Sequence, residues 1–396
     1  MPTTVPGPRE RVAAIGAVLG DVAATTVTRI EEMHGGIASR AFATTPGSLP
    51  VRLAHDAIAR GVYAGVRGGV RLAGRAAGGA AALGPAAQRD PIAGRRARTV
   101  LGAVSGIWGD ALAHRHPALA ITMSVRHAGA DVPLTASALR RSTGSPTPRL
   151  AVFLHGLCET DESWGSRRRL RGGDHGELLR TELGLTPVLL RYNSGLPVAE
   201  NGRLLDDLLE RLTAVWPGGI TELHLIGHSM GGLVIRSACT RAAERGDDGW
   251  VARVRNCVYL GTPHDGAPLA RGVAIAAAAL RRLPETRALG SVLDLHSAGV
   301  RDLRRGLRGS APLLPSAHHH GISASLGDTP DHLLSRLLGD LLVLPASAVG
   351  GPQALIEAER HRHIGGVSHF DLLRHPDVGE ALVEWLATEP ETARSA

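Results

Sequence analysis

One short motif constrains the fold of this chain more than any other feature. Residues 227–231 read Gly-His-Ser-Met-Gly, directly after an apolar run at 223–226 that predicts a buried strand. A helical pattern follows over about 230–244. So sharp a turn from strand to helix leaves no room for side chains at its two glycines, and it strains the serine backbone so that the hydroxyl is presented above the sheet. The motif therefore predicts that Ser229 is a nucleophile.

The chain around this motif alternates between short apolar strands and amphipathic helices. The stripe of leucines over 204–216 has helical spacing and predicts a helix next to the motif. Alternation of this kind is typical of a mostly parallel sheet with helices on both faces, an α/β fold. The predicted strands are 121–126, 150–154, 187–192, 223–226, 256–260 and 321–326, with a last strand and helix ending near Leu386.

The alternation predicts two regions of different character. We expect residues 1–115 to form an N-terminal helical segment rich in Arg, Gly and Ala, and residues 116–396 to form the catalytic domain. Within the latter, 264–312 interrupts the alternation and is expected to form a lid-like insertion. A helix is also expected over 330–338.

A serine hydroxyl becomes a good nucleophile only beside a general base, and that base needs an orienting acid. In folds with this motif the chain order is serine, acid, histidine. His369 is the best candidate base, because the segment 365–373 predicts a loop between the last strand and the last helix. His361 and His363 fall within that predicted strand, and His375 lies beyond the loop.

Three aspartates between Ser229 and His369 are candidates for the acid. Asp328 follows the predicted strand 321–326, Asp265 lies in a turn, and Asp340 lies in a Gly-Asp-Leu-Leu-Val segment. Because aspartate next to Gly or Pro commonly caps a helix or stabilises a turn, these residues alone leave the choice open.

Five segments together resemble the α/β-hydrolase superfamily, in particular bacterial lipases and esterases and the related inositol-deacylase-like proteins. They are LHGLCE (154–159), GHSMGG (227–232), YLGTPHDGAPL (259–269), GDLLV (339–343) and VSHFDLL (367–373). The resemblance covers about residues 120–388 and leaves 1–115 unmatched. It implies an α/β-hydrolase fold, a Ser-His-Asp triad and no cofactor.

The resemblance also implies roles for particular residues. In those lipases the acid commonly lies in a D-G-x-V turn, which 340–343 matches except that Leu341 replaces the glycine. This favours Asp340, with Asp328 as the main rival. The tetrahedral intermediate needs two backbone N–H donors. They are expected from Met230, next to the nucleophile, and from Leu157, by similarity to the family's H-G-x motif.

Positive charge is concentrated in the N-terminal segment. Residues 1–110 carry 13 Arg against seven acidic residues, which accounts for +6 of the net charge of +7. All the basic residues are Arg, which we attribute to genomic base composition, and we expect no nucleic-acid partner. The arginines of the predicted helix over 51–83 share an arc of about 140°: Arg52, Arg60, Arg67, Arg71 and Arg75. This stripe predicts either a solvated face or peripheral contact with an anionic membrane.

Two further clusters have a simple interpretation. His318, His319 and His320 are adjacent just before the predicted strand 321–326, so their rings point in different directions and no metal site is expected. The run Arg167–Arg169 with Arg171 predicts an exposed loop, with contact to an acidic substrate head group as the alternative.

The cysteines and the first residues bear on the compartment. Cys158, Cys239 and Cys257 show neither a pairing pattern nor metal-ligand spacing, which is typical of a reducing compartment. Neither a secretory signal nor an uninterrupted apolar run of about 18–20 residues is found. The expected location is the cytoplasm, with peripheral membrane contact as an addition.

The predicted function is hydrolysis of a carboxylic ester of a small-molecule or lipid substrate. The apolar insertion favours a lipidic or hydrophobic acyl group. Two alternatives stay open: an acyltransferase that uses the same triad, and a non-catalytic adaptor that acts through the basic N-terminal segment.

Overall fold

The computed structural model describes residues 6–43, 49–165, 174–246, 249–266, 297–307, 311–327, 343, 345–348 and 355–387. These residues form two compact units. The described part of the first unit comprises 6–43, 49–101 and 111–120. That of the second comprises 102–110 and all described residues from Ile121 onward.

The first unit is helical. Its main elements are α1 (Pro8–Ala43), α2 (Leu49–Leu83) and the ends of α3 (Arg95–Arg115), with 3-10 turns at Pro85–Gln88 and Pro117–Leu119. Helices α1 and α2 run antiparallel, since Gly16 lies against Gly78 while His34 contacts Tyr63. A Cβ atom built on Gly16 would come within 2.4 Å of the Cα of Gly78. The two backbones therefore touch, which only glycine allows.

The second unit is built on one eight-stranded sheet in the order β2-β1-β4-β3-β5-β6-β7-β8. Strands β3 to β8 are parallel, and β1 pairs antiparallel with both β2 and β4. The strands are β1 (Ser124–His127), β2 (Ala130–Asp131), β3 (Arg149–Leu154), β4 (Thr186–Arg191), β5 (Glu222–His228), β6 (Val254–Leu260), β7 (His318–Ser325) and β8 (His361–Gly365).

Helices cover both faces of this sheet. Leucines of α6 and α7 pack into one apolar core, and residues of α5 and α10 pack into another on the opposite face. The helices are α4 (Ala136–Thr143), α5 (His175–Leu183), α6 (Val198–Val215), α7 (Met230–Glu244), α8 (Ala298–Arg305), α9 (Pro345–Ala348) and α10 (Pro376–Leu386). Short 3-10 turns lie at Asp161–Ser163, Trp250–Arg253, Ala358–Arg360 and His369–Leu373.

The predicted α/β-hydrolase fold is confirmed, with strand limits shifted by one to three residues. One detail was wrong: the three histidines 318–320 lie within β7 and not before it. They pair with β6 residues, so backbone hydrogen bonding extended the strand beyond its apolar part. Of the predicted insertion 264–312, residues 267–296 and 308–310 lie outside the described residues, as does the helix predicted over 330–338.

Candidate active site

Ser229 lies at the sharp turn between β5 and α7. Its backbone has φ 52° and ψ −120°, a left-handed conformation that is costly for a residue with a side chain. The Ser229 amide donates to the carbonyl of Leu260 at 2.8 Å, which ties the turn to the end of β6. The residue is 6% exposed and stands at the N-terminus of α7. The structure thus places Ser229 at the strained turn that the motif predicts, and its role as a nucleophile stays a prediction.

The glycines around Ser229 are required by close packing. A Cβ on Gly227 would lie 2.5 Å from the amide of Gly232, and a Cβ on Gly231 would lie 2.6 Å from the carbonyl oxygen of Leu154. A Cβ on Gly232 would come closer still, within 2.1 Å of the Thr262 hydroxyl. The turn is thus held in place by the end of β3 on one side and by the loop after β6 on the other.

The segment that follows β3 lies directly against the nucleophile. A Cβ on Gly156 would be 3.1 Å from the Cβ of Ser229. His155 fixes this segment: its Nδ1–H donates to the carbonyl of Gly156 at 2.9 Å, and its Nε2 accepts from the amide of Tyr192 at 3.2 Å. Burial lowers the pKa of His155, which keeps the ring neutral in this tautomer.

The two amides expected to bind an oxyanion flank this contact. Leu157 follows Gly156, and Met230 follows Ser229. Neither amide donates to any acceptor in the part of the chain that the structure describes. Met230 is also the first residue of α7, where the helix dipole favours negative charge. Within the described ranges both amides thus lack an acceptor, as the predicted oxyanion role requires.

His369 opens the 3-10 turn that follows β8, as the sequence predicted. It is 1% exposed and lies over the loop after β6, where a Cβ on Gly261 would be 2.9 Å from its Cε1. The ring centroid of His369 is 4.6 Å from that of His228, the residue directly before Ser229. The loop carrying the predicted base is thus packed against the turn that carries the predicted nucleophile.

A buried ion pair that was not predicted connects these segments. His228 Nδ1 lies 3.0 Å from Glu159 Oε1, and His228 Nε2–H donates to the carbonyl of His369 at 3.1 Å. The other carboxylate oxygen of Glu159 accepts from the amide of Gly156 at 2.8 Å. Burial acts to raise the pKa of Glu159, but the charge and hydrogen bond of His228 outweigh it and lower the pKa to about 2.

The only hint of this pair in the sequence was its position. Glu159 lies five residues after β3, and His228 occupies a variable position of the serine motif. The pair joins the Gly156 segment, the turn that carries Ser229 and the loop that carries His369. A contact that joins residues 69 positions apart has no local pattern to reveal it.

The candidate acids Asp340 and Asp328 lie outside the described residues. The carbonyl of Gly327 accepts from the amide of Gly366 at 3.2 Å, which joins the loops after β7 and β8. Ser347 donates to the carbonyl of Gly266 in the turn after β6. Asp265, in that same turn, is partly buried. The choice of acid stays a prediction.

The remaining predicted clusters have structural partners or lie outside the described residues. The His319 ring lies 3.0 Å from the Tyr259 hydroxyl, and His320 stacks on Trp385, so the two rings point to different neighbours. No group of three metal-ligating side chains occurs among the residues described. Cys239 and Cys257 are buried, Cys158 is partly buried, and all three are free thiols. The arginines at 167–169 and 171 lie outside the described residues.

Comparison with known proteins agrees with this fold. The family model described as a PGAP1-like alpha/beta domain matches residues 192–280, a segment that includes β5, the serine turn and β6. This match confirms the resemblance to the α/β-hydrolase superfamily that the sequence motifs suggested. No curated protein matches the chain.

Several solved structures are similar to about three fifths of this chain. The mature lipase BlEst2 of Bacillus licheniformis is 18% identical, with a TM-score of 0.44, over 62% of this chain and 95% of that chain. The Staphylococcus hyicus lipase is 14% identical, with a TM-score of 0.38, over 61% and 94%. The Bacillus subtilis carboxylesterase CesB is 14% identical, with a TM-score of 0.36, over 61% and 85%.

Proposed function

We propose that this chain, whose second unit has the α/β-hydrolase fold, is a serine hydrolase that cleaves carboxylic esters. The observation that carries the proposal is the strained Ser229, packed against the Gly156 segment while the His369 loop is held beside it through His228. A strained, buried serine between two available amides is costly to maintain and is useful for acyl transfer.

The reaction proceeds in two steps. The Ser229 hydroxyl oxygen attacks the ester carbonyl carbon while His369 takes the hydroxyl proton. The carbonyl oxygen becomes an oxyanion that accepts hydrogen bonds from the amides of Met230 and Leu157. When the intermediate collapses, His369 gives the proton to the departing alcohol and an acyl-serine remains. Water, deprotonated by the same histidine, then attacks this ester and releases the acid.

An aspartate orients His369 and stabilises its charged form in this scheme. Asp340 is our first choice and Asp328 is the alternative. The reaction needs no cofactor, because proton transfer and oxyanion binding supply the chemistry.

We propose a hydrophobic acyl group as the substrate class. Phe370, next to the proposed base, is 53% exposed, more than any other large apolar side chain described in this unit. Its ring centroid lies 5.8 Å from that of His369, so an apolar surface next to the proposed base favours an apolar chain over a small polar ester.

The test is labelling by a fluorophosphonate probe, with the wild type and Ser229→Ala compared, followed by turnover of p-nitrophenyl esters of increasing chain length. Labelling and turnover should both disappear in the variant, and longer acyl chains should be preferred. Labelling that persists in Ser229→Ala would refute the nucleophile. A clear preference for acetate would refute the hydrophobic substrate and leave the hydrolase standing.

An acyltransferase remains the second candidate, because the same residues pass an acyl group to an alcohol when the alcohol competes with water. Product analysis with an added alcohol distinguishes the two reactions. The non-catalytic adaptor would be favoured only if folded protein neither reacted with the probe nor hydrolysed any ester.

A further inference from the structure

The first unit exposes many large apolar side chains. Of the seventeen such residues among the described part of the chain, thirteen lie on α1 and α2. Their exposures are high: Ile58 is 68% exposed and Leu72 is 69% exposed. Large apolar patches on a protein surface usually mark a site of association.

These side chains form one stripe on each helix. At about 100° per residue, those of α1 fall within an arc of about 80° and most of those of α2 within about 120°. The stripe on α1 contains Leu19, Val22, Ile30, Met33 and Ile37. The stripe on α2 contains Val51, Ile58, Val62, Val66, Leu72 and Leu83. Both stripes lie away from the glycines at which the helices touch.

The paired charged side chains lie where α1 and α2 face each other, away from the two apolar stripes. Arg67 of α2 forms an ion pair with Glu31 of α1, and Arg71 lies 3.2 Å from Asp21. The helices approach through Gly16, Gly20, Gly74 and Gly78, whose added Cβ atoms would collide with the facing backbone. In this hairpin, small residues and paired charges lie between the two helices and apolar residues lie on the outside. A hairpin that faces water has the reverse arrangement. Close contact through glycines is the packing used by helices that lie in lipid.

This arrangement also revises the interpretation of the basic stripe. Two of its five arginines pair with acids of α1, so the stripe is partly directed at the neighbouring helix. Arg60 and Arg75 are exposed. The hairpin over 8–83 still carries nine Arg against five acidic residues, a net charge of +4. This charge favours an anionic surface and disfavours a second copy of the same hairpin.

We propose that the α1–α2 hairpin binds the surface of a lipid bilayer, with its two apolar stripes immersed at the boundary between head groups and acyl chains. The stripe on α1 is about 27 Å long at 1.5 Å per residue. Pro8–Ser39 has a mean hydropathy of 1.3 over its most apolar window, of which 17% is buried. Hydrophobic burial supplies most of the binding, and the arginines add a preference for anionic lipid. The inference does not depend on the proposed function.

The test is flotation of the full-length protein with vesicles of phosphatidylcholine, with or without about 30% phosphatidylglycerol. The test variant is Ile30→Gln/Ile58→Gln/Leu72→Gln. The control variant, Thr181→Gln/Glu210→Gln/Arg211→Gln, places the same three side chains at exposed positions of the second unit without changing the net charge. Because all five tryptophans lie at or after Trp108, outside the hairpin, their fluorescence reports whether the second unit stays folded.

Wild type and control should bind both vesicles, more tightly with phosphatidylglycerol, and the test variant should bind at least tenfold more weakly. Adding about 0.5 M NaCl should remove the preference for anionic lipid and leave binding to phosphatidylcholine. Wild-type protein that binds neither vesicle would overturn the proposal. So would a discrete wild-type dimer that the test variant converts to a monomer while vesicle binding is unchanged.

Discussion

Replacing Glu159 by Gln should destabilise the second unit in a pH-dependent way. In the folded chain His228 lowers the pKa of Glu159 from 4.5 to about 2, even though burial opposes this shift. At 1.36 kcal/mol per pH unit of pKa difference, the ionised carboxylate contributes about 3 kcal/mol to the free energy of unfolding. Because the pKa is lowered, this contribution is complete above about pH 4.5 and is lost as the pH falls toward 2.

Glutamine keeps the shape of the side chain but removes the charge that lies against His228, and its NH2 group cannot accept a hydrogen bond as the carboxylate oxygen does. We therefore expect Glu159→Gln to lower the free energy of unfolding by about 3 kcal/mol at pH 7. The loss should be roughly 2 kcal/mol smaller at pH 3, where part of the wild-type contribution has already disappeared. Urea unfolding followed by tryptophan fluorescence measures both values.

Glu177→Gln is the matched control. Glu177 forms an exposed pair with Arg180, and its loss should cost less than ~1 kcal/mol at either pH. A Glu159→Gln defect that is the same at pH 7 and pH 3 would contradict the electrostatic argument. A defect no larger than that of Glu177→Gln would show that the buried pair contributes nothing measurable.

Two further outcomes follow from the same contacts. Gly232→Ala should destabilise the second unit by about 2 kcal/mol or more in urea unfolding, because the new Cβ would lie 2.1 Å from the Thr262 hydroxyl. The control is Gly69→Ala on α2, where the new methyl group has open space around it. This control should be neutral or stabilising. Asp340→Asn should lower kcat for a p-nitrophenyl ester by about 10⁴-fold and Asp328→Asn by only a few fold. The reverse result would make Asp328 the triad acid, and small effects of both would refute a triad that uses either residue.

The fold and the turn that carries Ser229 were predictable because their signals are local. Strand β5, the glycines around Ser229 and helix α7 lie within 23 consecutive residues, and each is required by the turn itself. The position of His369 followed from the order of elements along the chain. The limits of β7 were less accessible, because pairing with β6 recruited three histidines that have no strand-like pattern.

The contacts around Ser229 depended on segments far apart in the chain. Glu159 meets His228 across 69 residues, and His228 meets His369 across 141. A carboxylate in a loop has the same local sequence whether it is solvated or buried against an imidazole. Only the folded chain decides which partner it meets, and the low dielectric of the interior then sets its pKa.

In the N-terminal helices, too, some features followed from the sequence and others only from the tertiary structure. The sequence by itself determined that residues 51–83 form a helix with arginines along one side. The tertiary structure decided that part of this side faces α1, where Glu31 and Asp21 lie, and that the apolar side is left outside. Periodicity fixes which residues share a face of a helix, but the direction of that face depends on the partner. Here the direction follows from the two rows of glycine through which α1 and α2 touch.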